Sequence, residues 1–155
     1  MAVDITTLNT NSYTDQQASR EQTQKLLDDG IEEIYYVSAS AEAVGGFTLC
    51  EQVNAHCATW AGDSRTWAPT AGTFSVEIDW TVVMDLLVEQ ARNGVTEAQV
   101  FDATFENGGL KAQPLEGDAA ADVPADLVTA FTAMTAELAD GTIVLPESAA
   151  HPGLP

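Results

Sequence analysis

Apolar and polar positions along this chain switch between a period of two and a period near 3.6, and the switches outline alternating strands and helices. Val3 to Leu8 is a short β-type run, followed by a polar, turn-rich stretch from Asn9 to Thr14. Thr14-x-x-Gln17 has the spacing of a capping box and predicts a helix carrying Ala18, Leu26 and Leu27 that stops at Gly30. Ile31 to Val37 reads as a second strand. Ser38 and Ser40 are placed to cap a helix running to about Val53, although Gly45-Gly46 lowers its intrinsic propensity. Asn54 stands where a helix C-cap needs positive φ, and His56 to Ala61 is a third strand.

Further on, Phe74 to Ile78 is strand-like, and Trp80 to Asn93 is an amphipathic helix closed by Gly94. Its apolar stripe is Trp80, Val83, Met84, Leu87 and Ala91. Ala98 to Phe105 and Leu110 to Gln113 are expected to be short strands around an Asn107-Gly108-Gly109 hairpin turn. Glu116 to Asp122 is a polar connector, and Pro124 opens a helix with the stripe Leu127, Phe131, Met134 and Leu138, ended by Gly141. Thr142 to Leu145 is strand-like, before a proline-rich tail. Strand–helix–strand–helix–strand with short loops implies right-handed crossovers. The expected fold class is α/β, a three-layer α/β/α arrangement with a mainly parallel sheet, over residues 1–146, with 147–155 as a loose tail. No glycine-rich dinucleotide fingerprint follows the first strand, where NTNSYTD stands instead, and no Walker-type loop occurs.

Composition narrows the function classes. A chain of 155 residues with 45% hydrophobic content fits one globular domain. It has no apolar run long enough for a membrane-spanning helix, so no membrane insertion is expected. The opening MAVDITTLNTNSYTDQQ shows no basic and apolar export signal, which leaves localisation unassigned. Twenty-four acids against five bases give a formal charge of −19, which repels phosphate backbones and argues against nucleic-acid binding. The same excess is expected of a protein from a halophile, where carboxylates maintain solubility in concentrated salt. Cys50, His56 and Cys57 lack the paired spacing of a zinc site, so two free structural thiols and no metal or cofactor are expected. His56 falls at a strand and His151 in the tail, and no Ser/His/Asp or Cys/His arrangement is visible; the chain is expected to be a non-enzyme.

In an open parallel sheet, ligands sit beyond the carboxyl ends of the strands, which singles out the loops Asn9–Thr14, Ser38–Ala41 and Gly62–Trp67. From Gly62 to Pro146 the chain carries Gly62-Asp63, Ala68-Pro69, Ser75, Asp79-Trp80, Gly94, Gly108-Gly109, Pro114, Val123-Pro124 and Gly141-Thr142-Ile143 with Pro146. That ordered set resembles the C-terminal half of basic-membrane-protein-type (Bmp/PnrA-like) solute-binding proteins. Upstream, Tyr13, Asp15, Leu26, Gly30 and Ile34 extend the likeness. The resemblance implies one lobe of a type I periplasmic-binding-protein fold, serving an ABC transporter by capturing nucleosides or related small molecules. It implies that Tyr13 stacks on a ligand base and that Asp63 accepts hydrogen bonds from ligand hydroxyls. Trp80 is a third candidate ligand contact. Nucleoside-binding members carry a lysine near the position of Ile78; this chain has none there, which favours a purine-like or other neutral ligand.

In the two-lobed relatives, the stretch Phe74 to Trp80 crosses the hinge and the following helix packs in the other lobe. That apolar surface therefore calls for a homo-oligomer or a partner chain on the missing lobe's side. The competing function is a structural or assembly module, such as a component of a virion or cell-surface complex, that reuses the lobe without a ligand. A looser reading takes GDSRTWAPTAGTFSVEIDW as the β-rich middle of a phage tail-tube protein, which requires a mainly antiparallel barrel.

Overall fold

Asp15, rather than Thr14, begins the first helix. Its carboxylate accepts from the Ala18 N–H at 3.0 Å, while Ser12 Oγ accepts from the N–H groups of Thr14 and Asp15. A carboxylate one residue on competes better than the threonine hydroxyl for the free N–H groups of the first turn. The computed structural model describes residues 4–37, 40–60, 62–98, 101–121 and 123–144. Its elements are α1 (Gln16–Asp28), β1 (Glu33–Tyr36), α2 (Ala43–Val53), β2 (His56–Trp60), β3 (Gly72–Ile78), α3 (Trp80–Arg92), β4 (Leu110–Ala112) and α4 (Ala125–Ala139), with 3₁₀ turns at Ser64–Thr66 and Asp118–Ala120.

The strands lie in the order β1-β2-β3-β4. β1, β2 and β3 are parallel and β4 is antiparallel to β3. The fold is therefore α/β with a mainly parallel sheet, and the antiparallel-barrel reading is set aside. Ile34 and Cys57 are register partners and point to one face, where they meet Phe47 and Cys50 of α2. Phe47 is fully buried, with Tyr36 at 4.5 Å and Trp67 at 5.5 Å between ring centroids. Burying one such side chain contributes about 1.5–3 kcal/mol. Phe74, one residue out of phase with that face, meets Phe131 of α4 edge-on at 5.2 Å. Helices thus reach both faces of the sheet, with the core between the sheet and α1/α2.

Gly45 and Gly46 are what bring those two helices together. A Cβ at Gly45 would fall on the Gln16 carbonyl, and one at Gly46 on Tyr36 Oη and Thr23 Oγ1. Their low helix propensity is offset by this close approach, and Ser19 and Thr23 of α1 are buried in it. Thr23 Oγ1 and Tyr36 Oη share a hydrogen bond at 2.7 Å, so the helix pair is also tied to β1.

Several expected boundaries move. No strand forms over residues 4–8; Met1 to Val3 lie outside the described residues. The helix expected from Ser38 and Ser40 starts at Ala43, where Glu42 occupies the N-cap without a side-chain capping bond and the Ser40 carbonyl accepts from Ala43 N–H. Ser38 lies outside the described residues, as does Ala61 at the end of the third expected strand. Asn54 does take the left-handed C-cap, at φ 55°. Gln99 and Val100 of the expected hairpin lie outside the described residues; within them, 101–105 is not a strand and β4 pairs with β3 instead. Asn107 explains the difference, because its side chain takes the N–H groups of Thr104 and Gly109 and donates to the Asp102 carbonyl, closing a loop rather than a two-residue turn. Residues 142–144 are not a strand, and the tail from 145 on lies outside the described residues.

Candidate functional site

β1 is an edge strand among the described residues, since its only ladder is with β2. The N-terminal segment Asp4–Tyr13 runs past that edge without pairing to it. Between them lies an open hollow of about 1260 Å³, also lined by Ser19, Gln22, Thr23 and Leu26 of α1 and by Glu42 and Ala43. This volume exceeds that of most small-ligand pockets, about 300–1,000 Å³. A strand needs a neighbour to satisfy its backbone, and the segment that the sequence marks as β-type has none within reach here.

The hollow follows the whole β1 edge, from Gly30–Glu33 at the amino end of the strand to Val37 and Glu42 at its carboxyl end. α2 begins just after β1 ends, and the Gly45–Gln16 contact sets the start of α1 beside the start of α2. The positive ends of two helix dipoles thus face the end of β1. A smaller hollow, about 770 Å³, opens at the other end of the sheet beside His56 and Asn54. There His56 Nδ1 pairs with Glu33 Oε1 at 2.8 Å.

Tyr13, Asp63 and Trp80 all lie at that carboxyl end, but they do not share a pocket. Tyr13, placed just before α1, lines the large hollow and is 77% exposed. Asp63 follows β2, does not line the hollow, and is occupied by Arg65. Its Oδ1 accepts from Arg65 N–H and Nε, both at 3.0 Å, and Oδ2 from Nη2 at 3.1 Å. Burial raises the Asp63 pKa, but the hydrogen bonds and charge of Arg65 outweigh it and hold the carboxyl below its ordinary value. Arg65 in turn donates to Gln113 Oε1 and the Pro114 carbonyl, pinning the loop after β2 to the strand end beyond β4. Trp80 opens α3 after β3 and is 60% exposed, outside the hollow. Its neighbour Asp79 caps α3 through Thr81 N–H and pairs with Lys111 on β4.

Ser75 is structural. Its hydroxyl accepts from Ser64 N–H at 2.9 Å and bonds Ser64 Oγ at 3.0 Å, both buried, which fixes the 3₁₀ turn to β3. Glu51 likewise holds the Pro69–Ala71 turn: its carboxylate takes the N–H groups of Thr70 and Ala71 and the Thr70 hydroxyl. Burial works to raise its pKa, and those three bonds overcome it and lower it. Cys50 and Cys57 are both buried and free. The Cys57 thiol is pushed up by its hydrogen bond with Cys50 and by burial, the direction that disfavours the thiolate.

Sequence reasoning passed over Glu42. It is 5% exposed, lines the hollow, and leaves Oε2 without a hydrogen-bond partner. The available signal was a lone acid directly before the apolar run Ala43 to Cys50, where a capping serine or threonine would be ordinary.

No protein-family model and no curated protein matches the chain. Several solved structures share its fold. A transcriptional activator of the comK gene from Bacillus halodurans superposes with a TM-score of 0.69 at 13% identity, over 88% of this chain and 46% of that one. An ABC-transporter solute-binding protein from Conexibacter woesei gives a TM-score of 0.56 at 22% identity, over 88% of this chain and 44% of its own length. This chain therefore has the mixed α/β fold of a solute-binding-protein lobe, and it spans less than half the length of either neighbour.

Proposed function

We propose that the chain is a non-catalytic, small-molecule-binding lobe related to ABC-transporter solute-binding proteins, with nucleoside- or purine-like compounds as the ligand class its Bmp/PnrA-like resemblance suggests. The observation that carries this reading is the hollow between Asp4–Tyr13, α1 and β1, which runs along the β1 edge and reaches, at Tyr13, Val37 and Glu42, the end of the sheet where open α/β folds receive ligands. Its walls combine apolar side chains (Ile5, Leu8, Leu26, Ile34) with a few polar groups and an aromatic lip at Tyr13, the composition expected of a ligand site. A thermal-shift screen of nucleosides and nucleobases in molar salt tests it. A ligand at a hundred times its Kd adds about 2.7 kcal/mol of stability, and Tyr13→Ala should remove most of that gain. A flat response across both compound classes overturns the nucleoside assignment.

A second reading, an assembly module, is favoured by α3. None of its residues is buried, and Trp80, Met84, Leu87 and Val88 are exposed along it. Soluble monomers seldom leave such a stripe uncovered. Light scattering in molar salt should then report a dimer or larger species, weakened by Met84→Glu; a monomer at all concentrations counts against this reading.

A further inference from the structure

Glu42 asks for a partner from outside the chain. Its side chain does not cap α2, and its Oε2 is buried without a hydrogen bond among the described residues. Removing a carboxylate from water without pairing it costs several kcal/mol, so such groups are kept where something else completes them. The rest of the lining narrows what that can be. Asp4, Glu32 and Glu33 also line the hollow, and no lysine, arginine or histidine does. An anionic ligand would meet Asp4, Glu32, Glu42 and a Glu33 already paired with His56, offset only by the partial positive charge of the two helix N-termini. A neutral ligand without an N–H or O–H donor would leave Oε2 unpaired. A cation satisfies both conditions, and the rings of Tyr13 and Tyr35, both exposed on the same lining, offer the aromatic faces that organic cations favour.

We propose that this hollow binds a small organic cation, with an ammonium or guanidinium group donating to Glu42 Oε2 and an apolar body lying along Leu26 and Ile34. The inference rests on the binding-lobe reading and deepens it by naming charge as the ligand's selective feature. An amino-bearing nucleobase offers the same N–H donors, and a charged amine offers them with Coulombic attraction added.

The test is calorimetric titration of the whole chain with 2-phenylethylamine and agmatine, against 2-phenylethanol, adenosine and inosine as uncharged probes, at 0.15 M and 2 M KCl. The amines should bind saturably and about tenfold or more tighter than 2-phenylethanol, as a charge-assisted hydrogen bond predicts. Higher salt should weaken the amines and leave the uncharged probes unchanged. Glu42→Gln should cost the amines about tenfold while the variant melts no lower than the wild type, because Oε2 makes no hydrogen bond within the described residues that the amide would lose. Equal affinity for the amine and its alcohol, or amine binding untouched by Glu42→Gln, overturns the proposal. Should Glu42→Gln fail to fold, the amine–alcohol comparison in the wild type decides alone. Binding of adenosine or inosine without any amine binding refutes the cation and spares the binding lobe; no binding by any probe refutes both.

Discussion

Gly45→Ala is the sharpest test of the packing described above, because two effects of opposite sign meet at one atom. In an ordinary helix interior, alanine is better than glycine by about 1 kcal/mol. At Gly45 the new Cβ would land on the carbonyl of Gln16, which is backbone and cannot rotate aside. Either α1 slides along α2 or the start of α2 tilts away from the sheet. Overpacking of this kind costs about 1–3 kcal/mol. Sliding α1 also disturbs the Thr23–Tyr36 hydrogen bond, worth about 1 kcal/mol net. The net expectation is a loss of about 1–3 kcal/mol, or about 2–10 °C in Tm for a chain of this size. Thermal melts followed by circular dichroism in molar salt, with urea midpoints as a check, would measure it. Gly30→Ala is the internal control: Gly30 has φ +82° and nothing within 4 Å of an added Cβ, so only backbone strain of about 1–2 kcal/mol should appear. Gly46→Ala should fall between neutrality and Gly45→Ala, since its obstacles are the side-chain oxygens of Tyr36 and Thr23. A Gly45→Ala protein that melts at or above the wild-type temperature would refute the close-approach account.

Other consequences can be checked more briefly. Asp63→Asn should destabilise by about 1 kcal/mol at pH 7, the upper end for a partly exposed ion pair. Asp63 is depressed in the folded state, so its contribution is present above the unfolded carboxylate pKa and lost as pH falls through the folded value; wild type and variant stabilities should converge in acid, and a constant gap down to pH 2 would contradict this. Cys50 and Cys57 should resist a disulfide-exchange reagent in the native protein and both react after unfolding; rapid native labelling of either would show that the core is open. With a charge of −19 the fold should gain stability from 0.05 to 2 M KCl, read as a rising Tm, and a salt-independent Tm would mean that self-repulsion is unimportant.

What the chain's pattern determined by itself was largely local. Periodicity located β1, β2, β3, α3 and α4 to within a few residues, and Gly30, Asn54, Gly94 and Gly141 marked helix ends because a positive φ is a property of the residue and its immediate neighbours. The alternation of elements carried the parallel order as well, since a strand–helix–strand unit has few ways to return to its sheet. Tertiary structure decided the rest. Residues 4–8 look like a strand, but a strand is completed by its neighbour, and none pairs with them here. β4 chose β3 over the adjacent segment because Asn107 closed the intervening loop. The loops of Tyr13 and Asp63 were expected at one sheet edge, yet which of the two residues faces a hollow depended on side-chain pairing at a distance. Asp63 was claimed by Arg65, whereas Glu42, ordinary in the sequence, became unusual only when α1, α2 and β1 closed around it and left one oxygen without a partner. Burial is a property of the assembled fold, and the chemistry of a site follows burial.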